Sequence, residues 1–552
     1  MTDLYNEYKN IFEKEEFRLK IEKLKKKLKN KRVVIYSNGV YFEAFSDLYD
    51  LKKLFNIVAI SDIRYENENI FEFKGFKCVK PSELKNLDID AVLIASPNFE
   101  SIKKYLVLNN FVNRKVLILD IVYKPLLKNK FWLANQYLKE SGDIFRTIKY
   151  AFFCTNQELE TKNNYLKKLK QLRKQEKIRV LFVCEENSKW GYQSVYEEMR
   201  NNPKFELLPV VLFPIKTSTR VEFTQKANKS FFDELGIMSV DGYDYSNNQN
   251  KSLKEFEPDI VFYQQPWYLE GINHPVKVSE YALTMMIPYG YTTLSPKEWG
   301  SDLVKKVYSN LFMFFSESKY HNNFYKKVAG MRFKDNLLAT GTPKLDKYLN
   351  PLQDFQWKGK DVLAKIVYAP HHSLGSEGLR MSTFKENAYK FLNFVKNNSQ
   401  YSFVFKPHPA LKNMCVKTGF MLENEYDDYI NQWENLPNAF VYNTGNYIDL
   451  FKTSDFLITD CSSFLAEYFP TNKPILFLNR NDRAEFDDFG KILKSAFYEI
   501  EEFSEIELCL NNILKGNDIL LNKRKEIINR FFNNKISASE KIVKYLCSEL
   551  SK

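Results

Sequence analysis

The chain has 552 residues, of which 44% are hydrophobic, 16% aromatic and 27% charged, with a formal net charge of +12. That length exceeds one hydrophobic core and suits about three domains, and the charged fraction excludes a membrane-embedded protein. The positive balance favours an anionic partner such as a nucleotide, a phosphorylated polymer or an acidic lipid surface, although Lys-rich composition throughout the chain accounts for much of it.

No run approaches the eighteen or more apolar residues of a spanning helix, and the start, Met1-Thr-Asp-Leu-Tyr, lacks the layout of a signal peptide. A soluble cytoplasmic protein is expected, with the cytoplasmic face of the inner membrane as a place of peripheral contact. The seven cysteines (Cys78, Cys154, Cys184, Cys415, Cys461, Cys509 and Cys547) are scattered and form no Cys-x-x-Cys pair. Neither a disulfide framework nor a zinc site is expected, and neither metal nor cofactor. Without a basic block interleaved with stacking aromatics, no nucleic-acid partner is expected either.

Residues 4–32 read as a charged amphipathic helix with Phe17, Ile21, Leu24 and Leu28 on one face. Short apolar strands follow at Val33–Tyr36, Ile57–Ser61, Ala91–Ala95 and Val116–Leu119, the rhythm of a βαβ domain with a parallel sheet. The first turn, Ser37-Asn38-Gly39-Val40-Tyr41-Phe42, stands where a dinucleotide fingerprint would, and Asp62 where a ribose-binding acid would. Only one glycine is present, and Val40 and Phe42 occupy places that need bare backbone, so a structural or sugar-sensing accessory domain is the stronger expectation.

Residues 125–176 read as helical and end in a lysine-rich stretch with Leu166, Leu169 and Leu172 on one face. This is a solvated connector or, alternatively, a membrane-surface helix. A second αβ series starts at Ile178 with the loop Glu185-Glu-Asn-Ser-Lys-Trp-Gly191, then a helix at Tyr192–Arg200. Strands follow at Leu208–Phe213, Ile260–Tyr263, Met285–Ile287, Met313–Ser316 and Leu337–Ala339, and a third series runs from Ile366 to Phe477. With a closing helical segment at 518–550, the expected organisation is an accessory Rossmann-like domain (1–124), a helical linker (125–176) and two Rossmann-like domains facing a cleft (177–345 and 346–552).

Three of the five histidines lie just past predicted strands: His371 and His372 in Tyr368-Ala-Pro370-His-His, and His408 in Phe405-Lys406-Pro-His-Pro. A third strand ends in Asp460-Cys461-Ser462-Ser463 and runs into a helix carrying Glu467. Strand C-termini of one parallel sheet gather their loops into one crevice, so these segments can meet around a ligand. A hydroxyl-rich helix start offers donors to a phosphate, with helix capping as the plainer alternative. Imidazole can give or take a proton near neutrality, and Lys406 adds positive charge for phosphoryl chemistry. His274 and His321 sit in polar, loop-like stretches and read as surface residues, although His274 could face the cleft.

Together, Tyr-Ala-Pro-His-His, Phe-Lys-Pro-His-Pro and Leu-Ile-Thr-Asp-Cys-Ser-Ser-Phe-Leu-Ala-Glu-Tyr resemble motifs of the CDP-glycerol glycerophosphotransferase family, the teichoic acid and capsule polymerases, as does Gly341-Thr-Pro-Lys-Leu-Asp346 with Lys344 in place of Arg. The resemblance covers about residues 178–515. It implies a GT-B fold, a CDP-linked alcohol donor on the C-terminal domain and an anionic glycan or lipid-linked acceptor on the N-terminal one. Ser462 and Ser463 would then hold the donor diphosphate, Asp460 would stand beside them, Glu467 would meet the ribose and His408 the transferring phosphate. Tyr368 and Pro370 would carry a loop near the cytidine. On the acceptor side stand Glu186, Lys189, Trp190, Gln265, His274 and Tyr289.

The chain departs from the family at Ile287-Pro288-Tyr289-Gly290-Tyr291, where a Trp-His-Gly-Thr-Pro segment normally supplies the general base. The proton from an acceptor hydroxyl would pass to His371, His372, His274 or Glu186. A nucleotide-sugar glycosyltransferase and a non-catalytic scaffold of a capsule-assembly complex remain as alternatives.

Overall fold

The computed structural model describes the chain except for residues 1, 14, 38, 69, 97–98, 114, 122–126, 146–147, 149–153, 217–220, 267–270, 296–301, 330–334, 353–354, 376–377, 444–446 and 533–535. Asn38 of the fingerprint turn and parts of the expected 125–176 linker therefore lie outside the described residues. The chain divides into two compact units, residues 1–132 and 133–552.

The first unit holds strands β1 (Arg32–Tyr36), β2 (Asn56–Ser61), β3 (Glu72–Phe73), β4 (Phe76–Val79), β5 (Ala91–Ile94) and β6 (Leu117–Asp120) in the order β3-β4-β2-β1-β5-β6. All pairs are parallel except the β3–β4 hairpin, which the sequence reading lacked because its strands are too short to show a period. The expected single N-terminal helix is two, Thr2–Phe12 and Glu15–Lys27. Its predicted apolar face is correct: Phe17, Ile21, Leu24 and Leu28 are buried with Val33 and Ile35 in one core. The Asp62 carboxylate is occupied, accepting from Arg64 N at 3.1 Å and Arg64 Nε at 2.8 Å.

The second unit contains two sheets. The first comprises β7 (Ile178–Cys184), β8 (Phe205–Leu207), β9 (Val210–Leu212), β12 (Ser239–Asp241), β15 (Ile260–Tyr263), β16 (Leu283–Met286), β17 (Met313–Ser316) and β18 (Leu337–Ala339). Between them, β10–β11 (Ile215–Lys216 with Val221–Glu222) and β13–β14 (Tyr243–Asp244 with Gln249–Asn250) are separate hairpins. The order β12-β9-β7-β15-β16-β17-β18, with β8 beside β7, is parallel throughout. The second sheet, β19 (Ala364–Ala369), β20 (Tyr401–Phe405), β21 (Ala439–Val441), β22 (Phe456–Thr459), β23 (Ile475–Leu478) and β24 (Tyr498–Ile500), is ordered β21-β20-β19-β22-β23-β24. With β8, which lies off the main path, left aside, both sheets begin 3-2-1-4-5-6 when numbered within each, the doubly wound order, with crevices where the order reverses: beyond β7 and β15, and beyond β19 and β22. This is an α/β protein whose second unit has the two Rossmann-like sheets of a GT-B architecture.

These strands read as apolar runs because helices cover both faces of each sheet. The helix Asn156–Leu172 contributes Tyr165, Leu169 and Leu172 to the core of the first sheet, so its apolar face is already packed against protein. The last helix, Ala538–Ser551, also joins that core through Ile542, Val543, Leu546 and Leu550. Asp346 holds its start, accepting from Ala538 N at 2.7 Å and Ser539 N at 2.9 Å.

A short bridge ties the halves together. Leu294 pairs with Phe486, Ser295 N donates to Glu485 O at 2.9 Å, and Asp487 N donates to Thr293 O at 2.9 Å. Gly490 is required there, since a Cβ on it would sit 2.3 Å from Thr293 O. His321, expected at the surface, is fully buried in this seam: Nδ1 meets Ser318 Oγ at 2.8 Å, Nε2 meets Thr292 O at 3.1 Å, and the ring lies 4.5 Å from that of Phe489.

Candidate active site

The two crevices of the second unit carry most of the predicted residues. At the second sheet, the turn after β19 brings His371 and His372, and the turn after β20 brings His408. Their ring centroids are 4.3 Å (371–372), 4.0 Å (372–408) and 5.4 Å (371–408) apart. Asp460, at the end of β22, fastens this arrangement. Fully buried, it accepts from His371 N at 2.5 Å, Thr383 N at 2.6 Å and Thr383 Oγ1 at 2.9 Å. Burial pushes its carboxyl up to about 7, against three donors that favour the anion.

The histidine tautomers follow from their neighbours. His408 Nδ1 accepts from Ala410 N at 3.1 Å, and His371 Nδ1 accepts from Ser373 N at 3.2 Å while meeting Ser373 Oγ at 2.7 Å. Ser373 Oγ in turn accepts from Met381 N at 2.8 Å, so its own proton points to His371. In both rings an occupied Nδ1 lone pair places the single proton of the neutral form on Nε2. His372 differs, because among the described residues its buried Nδ1 has no hydrogen-bond partner. Burial lowers all three, His372 to about 4, His408 to about 3 and His371 well below its usual value, with the neighbouring imidazoles acting in the same direction on His371 and His408.

The coordinating nitrogens lie within 4.8 Å of one another, a spacing that could hold a transition-metal ion. Coordination through Nε2 of His371 and His408 would require both tautomers to reverse against the backbone N–H groups at their Nδ1 atoms. The donor set therefore fits an anion better than a cation.

Beside the imidazoles, the buried Lys406 Nζ lies among the rings of Tyr447 (4.7 Å), Tyr442 (5.6 Å) and Phe464 (5.8 Å). Burial, with Lys344 nearby, lowers it to about 8. Glu467 is also buried, and its carboxylate is engaged by Lys344 Nζ at 3.2 Å and by the hydroxyl of Tyr447, while Lys344 Nζ is 2.5 Å from Tyr447 Oη. Sequence reasoning did not single out Tyr447; Lys344 was visible only as part of the Gly-Thr-Pro-Lys segment. Cys461 precedes the helix Ser462–Tyr468, and no side chain caps it. Ser462 and Ser463 are thus not capping residues; Ser463 Oγ lies 3.3 Å from Cys461 Sγ.

The first sheet completes the cleft. Gln264, beyond β15, receives Glu185 N at 2.9 Å and Glu186 N at 3.1 Å, and donates to Glu186 O at 2.8 Å. This fixes the loop in which Lys189 pairs with Glu186 at 2.7 Å and meets Gln265 Oε1 at 3.2 Å. The ring of Tyr289 lies 5.6 Å from Lys189 Nζ. Glu186 and Lys189 are close enough to bias the titration of His372, which brings the two halves together at this point. Gly290 permits the approach: a Cβ there would stand 3.1 Å from Glu467 Oε1.

Three predicted residues fall outside the cluster. Trp190 is buried among Phe182, Tyr192 and Phe232, with Nε1 donating to Gln193 Oε1 at 2.9 Å. The Tyr368 ring stacks 3.7 Å from Phe391 in the core, leaving only the backbone of Tyr368 and the buried Pro370 to shape the turn. His274 caps the short helix Pro275–Val278 through Val276 N at 3.2 Å, ahead of β16 and so at the opposite end of the strands from the crevice.

Residues 284–547 match the family model described as CDP-Glycerol:Poly(glycerophosphate) glycerophosphotransferase. The chain is 28% identical over 220 residues to the teichoic acid glycerol-phosphate primase of Bacillus subtilis (38% of this chain, 52% of that protein). It is 21% identical over 263 residues to the minor teichoic acid biosynthesis protein GgaB of the same organism (45% of this chain, 27% of that protein). These matches thus span about half and about a quarter of those relatives' lengths. Among solved structures, the wall teichoic acid polymerase TagF is 16% identical at a TM-score of 0.45, covering 77% of this chain and 98% of that one. The MnaA–UDP co-structure from S. aureus is 14% identical at a TM-score of 0.46, covering 68% and 98%. From β16 to the last helix, just under half of its length, this chain thus matches the model of the CDP-glycerol glycerophosphotransferase family.

Proposed function

We propose that the protein transfers an alcohol-phosphate group from a CDP-activated donor to a hydroxyl of a growing surface glycan, releasing CMP. The observation that carries this reading is the group of three neutral imidazoles at the switch point of the second sheet, two of them with Nδ1 occupied and Nε2–H available. Such donors suit the oxygens of a transferring phosphoryl group. The acceptor oxygen attacks the distal phosphorus in line, the bond to the CMP oxygen breaks, and CMP departs with the electron pair. His372, whose Nδ1 has no hydrogen-bond partner among the described residues, takes the acceptor proton. His371 and His408 donate to phosphoryl oxygens, Lys406 balances their charge, and Ser462 and Ser463 hold the diphosphate. Asp460 positions His371, and Glu467 orients Lys344 and Tyr447. Glu186, Lys189, Gln265 and Tyr289 face the acceptor.

The second reading is a nucleotide-sugar glycosyltransferase, favoured by the absence of a histidine at Ile287–Tyr291. Incubation with CDP-glycerol and an oligomeric acceptor separates the two by the products. Released CMP and a new phosphodiester support phosphotransfer. Transfer from a nucleotide sugar with a glycosidic product overturns it, and failure of every nucleotide to bind favours the scaffold.

A further inference from the structure

The first unit carries a recess of about 850 Å³ that the reading above does not use. Six lysines line it from three directions: Lys25, Lys26 and Lys29 around the end of the second helix, Lys52 and Lys53 just before β2, and Lys77 on β4. Among the described residues, Glu22 is the one acidic lining residue. Among the described residues, only Lys53 of the six has an ion-pair partner, Asp50 at 3.0 Å. Leu28 and Phe55 form a buried apolar floor.

The recess lies toward the N-terminal ends of β1 and β2, away from the end where a doubly wound sheet takes a nucleotide. Lysines without an arginine fork provide point charges spread over a surface, which suits repeated anionic groups better than one bidentate phosphate. Single-stranded nucleic acid would need exposed aromatic platforms; here Phe55 is buried and Phe76 is half-buried, its ring 5.4 Å from Lys52 Nζ. A membrane surface would need protruding apolar residues, and the apolar lining forms the floor of a hollow.

We propose that this recess binds a chain of phosphodiester-linked units, the class of polymer that the proposed reaction extends; the choice of polymer rests on that reading. Its test is equilibrium binding of a fluorescent synthetic glycerol-phosphate oligomer to the full chain. Five net positive charges at about 0.7 counterions per phosphate give a salt slope near −3.5, so affinity should fall about 100-fold between about 50 and about 200 mM salt. A variant with Lys25→Gln, Lys29→Gln, Lys52→Gln and Lys77→Gln should lose at least about tenfold in affinity at the lower salt and most of that slope. These lysines are exposed, and an unchanged melting temperature and CDP-glycerol affinity confirm that the variant folds. Unaltered oligomer binding in the variant overturns the assignment. Tighter binding of an oligothymidylate of equal charge moves it to nucleic acid, and lysine-dependent binding to phosphatidylglycerol vesicles without oligomer binding moves it to lipid headgroups. Oligomer binding that depends on the lysines, in a protein that transfers no phosphate, would sustain the recess and refute the reaction.

Discussion

Asp460→Asn probes the fastening of the imidazole cluster. One carboxylate oxygen serves His371 N and the other serves both Thr383 N and Thr383 Oγ1. An asparagine can accept on one side only. Its best orientation keeps the two Thr383 bonds and turns its NH2 toward His371 N, leaving a buried N–H unsatisfied beside another donor. An unsatisfied buried donor costs about 1–3 kcal/mol, so the unfolding free energy should fall by that amount, read as a lower urea midpoint with the m-value unchanged. Relief comes most readily by shifting the 371–373 turn, which moves His371 and His372 and should lower turnover by about tenfold or more. Urea melts and steady-state kinetics on the same preparation measure both. Wild-type stability together with wild-type turnover would refute the role given to Asp460.

Lys344→Met leaves the buried Glu467 carboxylate with Tyr447 as its only hydrogen-bond donor among the described residues and should cost about 3 kcal/mol in a denaturant melt, the low end for breaking a buried pair. Gly490→Ala drives a methyl into Thr293 O and should lower the melting temperature by several degrees while weakening donor binding, because the halves must separate locally. For pH, the folded chain holds His372 near 4 and His408 near 3, whereas the unfolded chain binds a proton near 6.5. The unfolded state therefore takes up more protons between those values, and stability must fall as pH drops from about 6.5 toward 3. The His372 contribution is on the order of 3 kcal/mol. As the pH falls across this range, wild type should lose about that much more stability than His372→Gln, which has no proton to take up there; parallel curves would contradict the neutral, buried assignment.

The strands were legible because both faces of each sheet are covered, so Ile260–Tyr263, Met313–Ser316 and Leu337–Ala339 stand out as apolar runs with the expected limits. Parallel topology then follows from spacing alone, and it carries His371, His408 and Asp460 to one crevice. Orientation was harder to read. Whether Tyr368 faces ligand or core depends on the parity of β19, and its ring turned inward onto Phe391. His321 resembles a surface residue in sequence because the apolar neighbour that buries it, Phe489, lies 168 positions away. The roles of Asp460 and Glu467 depend on Thr383, Lys344 and Tyr447, contacts set by tertiary packing and without local periodicity.

Adjacent imidazoles divide the labour of binding and proton transfer, and comparing His408→Ala and His372→Ala for CDP-glycerol affinity by calorimetry and for single-turnover rate separates the two roles. Loss of a donor to a charged phosphate oxygen is worth about 1.5–3 kcal/mol, so His408→Ala should weaken donor binding by about 10- to 150-fold. His372→Ala should keep that affinity within about threefold while slowing transfer by about 10²- to 10⁴-fold. Two variants that bind the donor and transfer phosphate as the wild type does would refute that division.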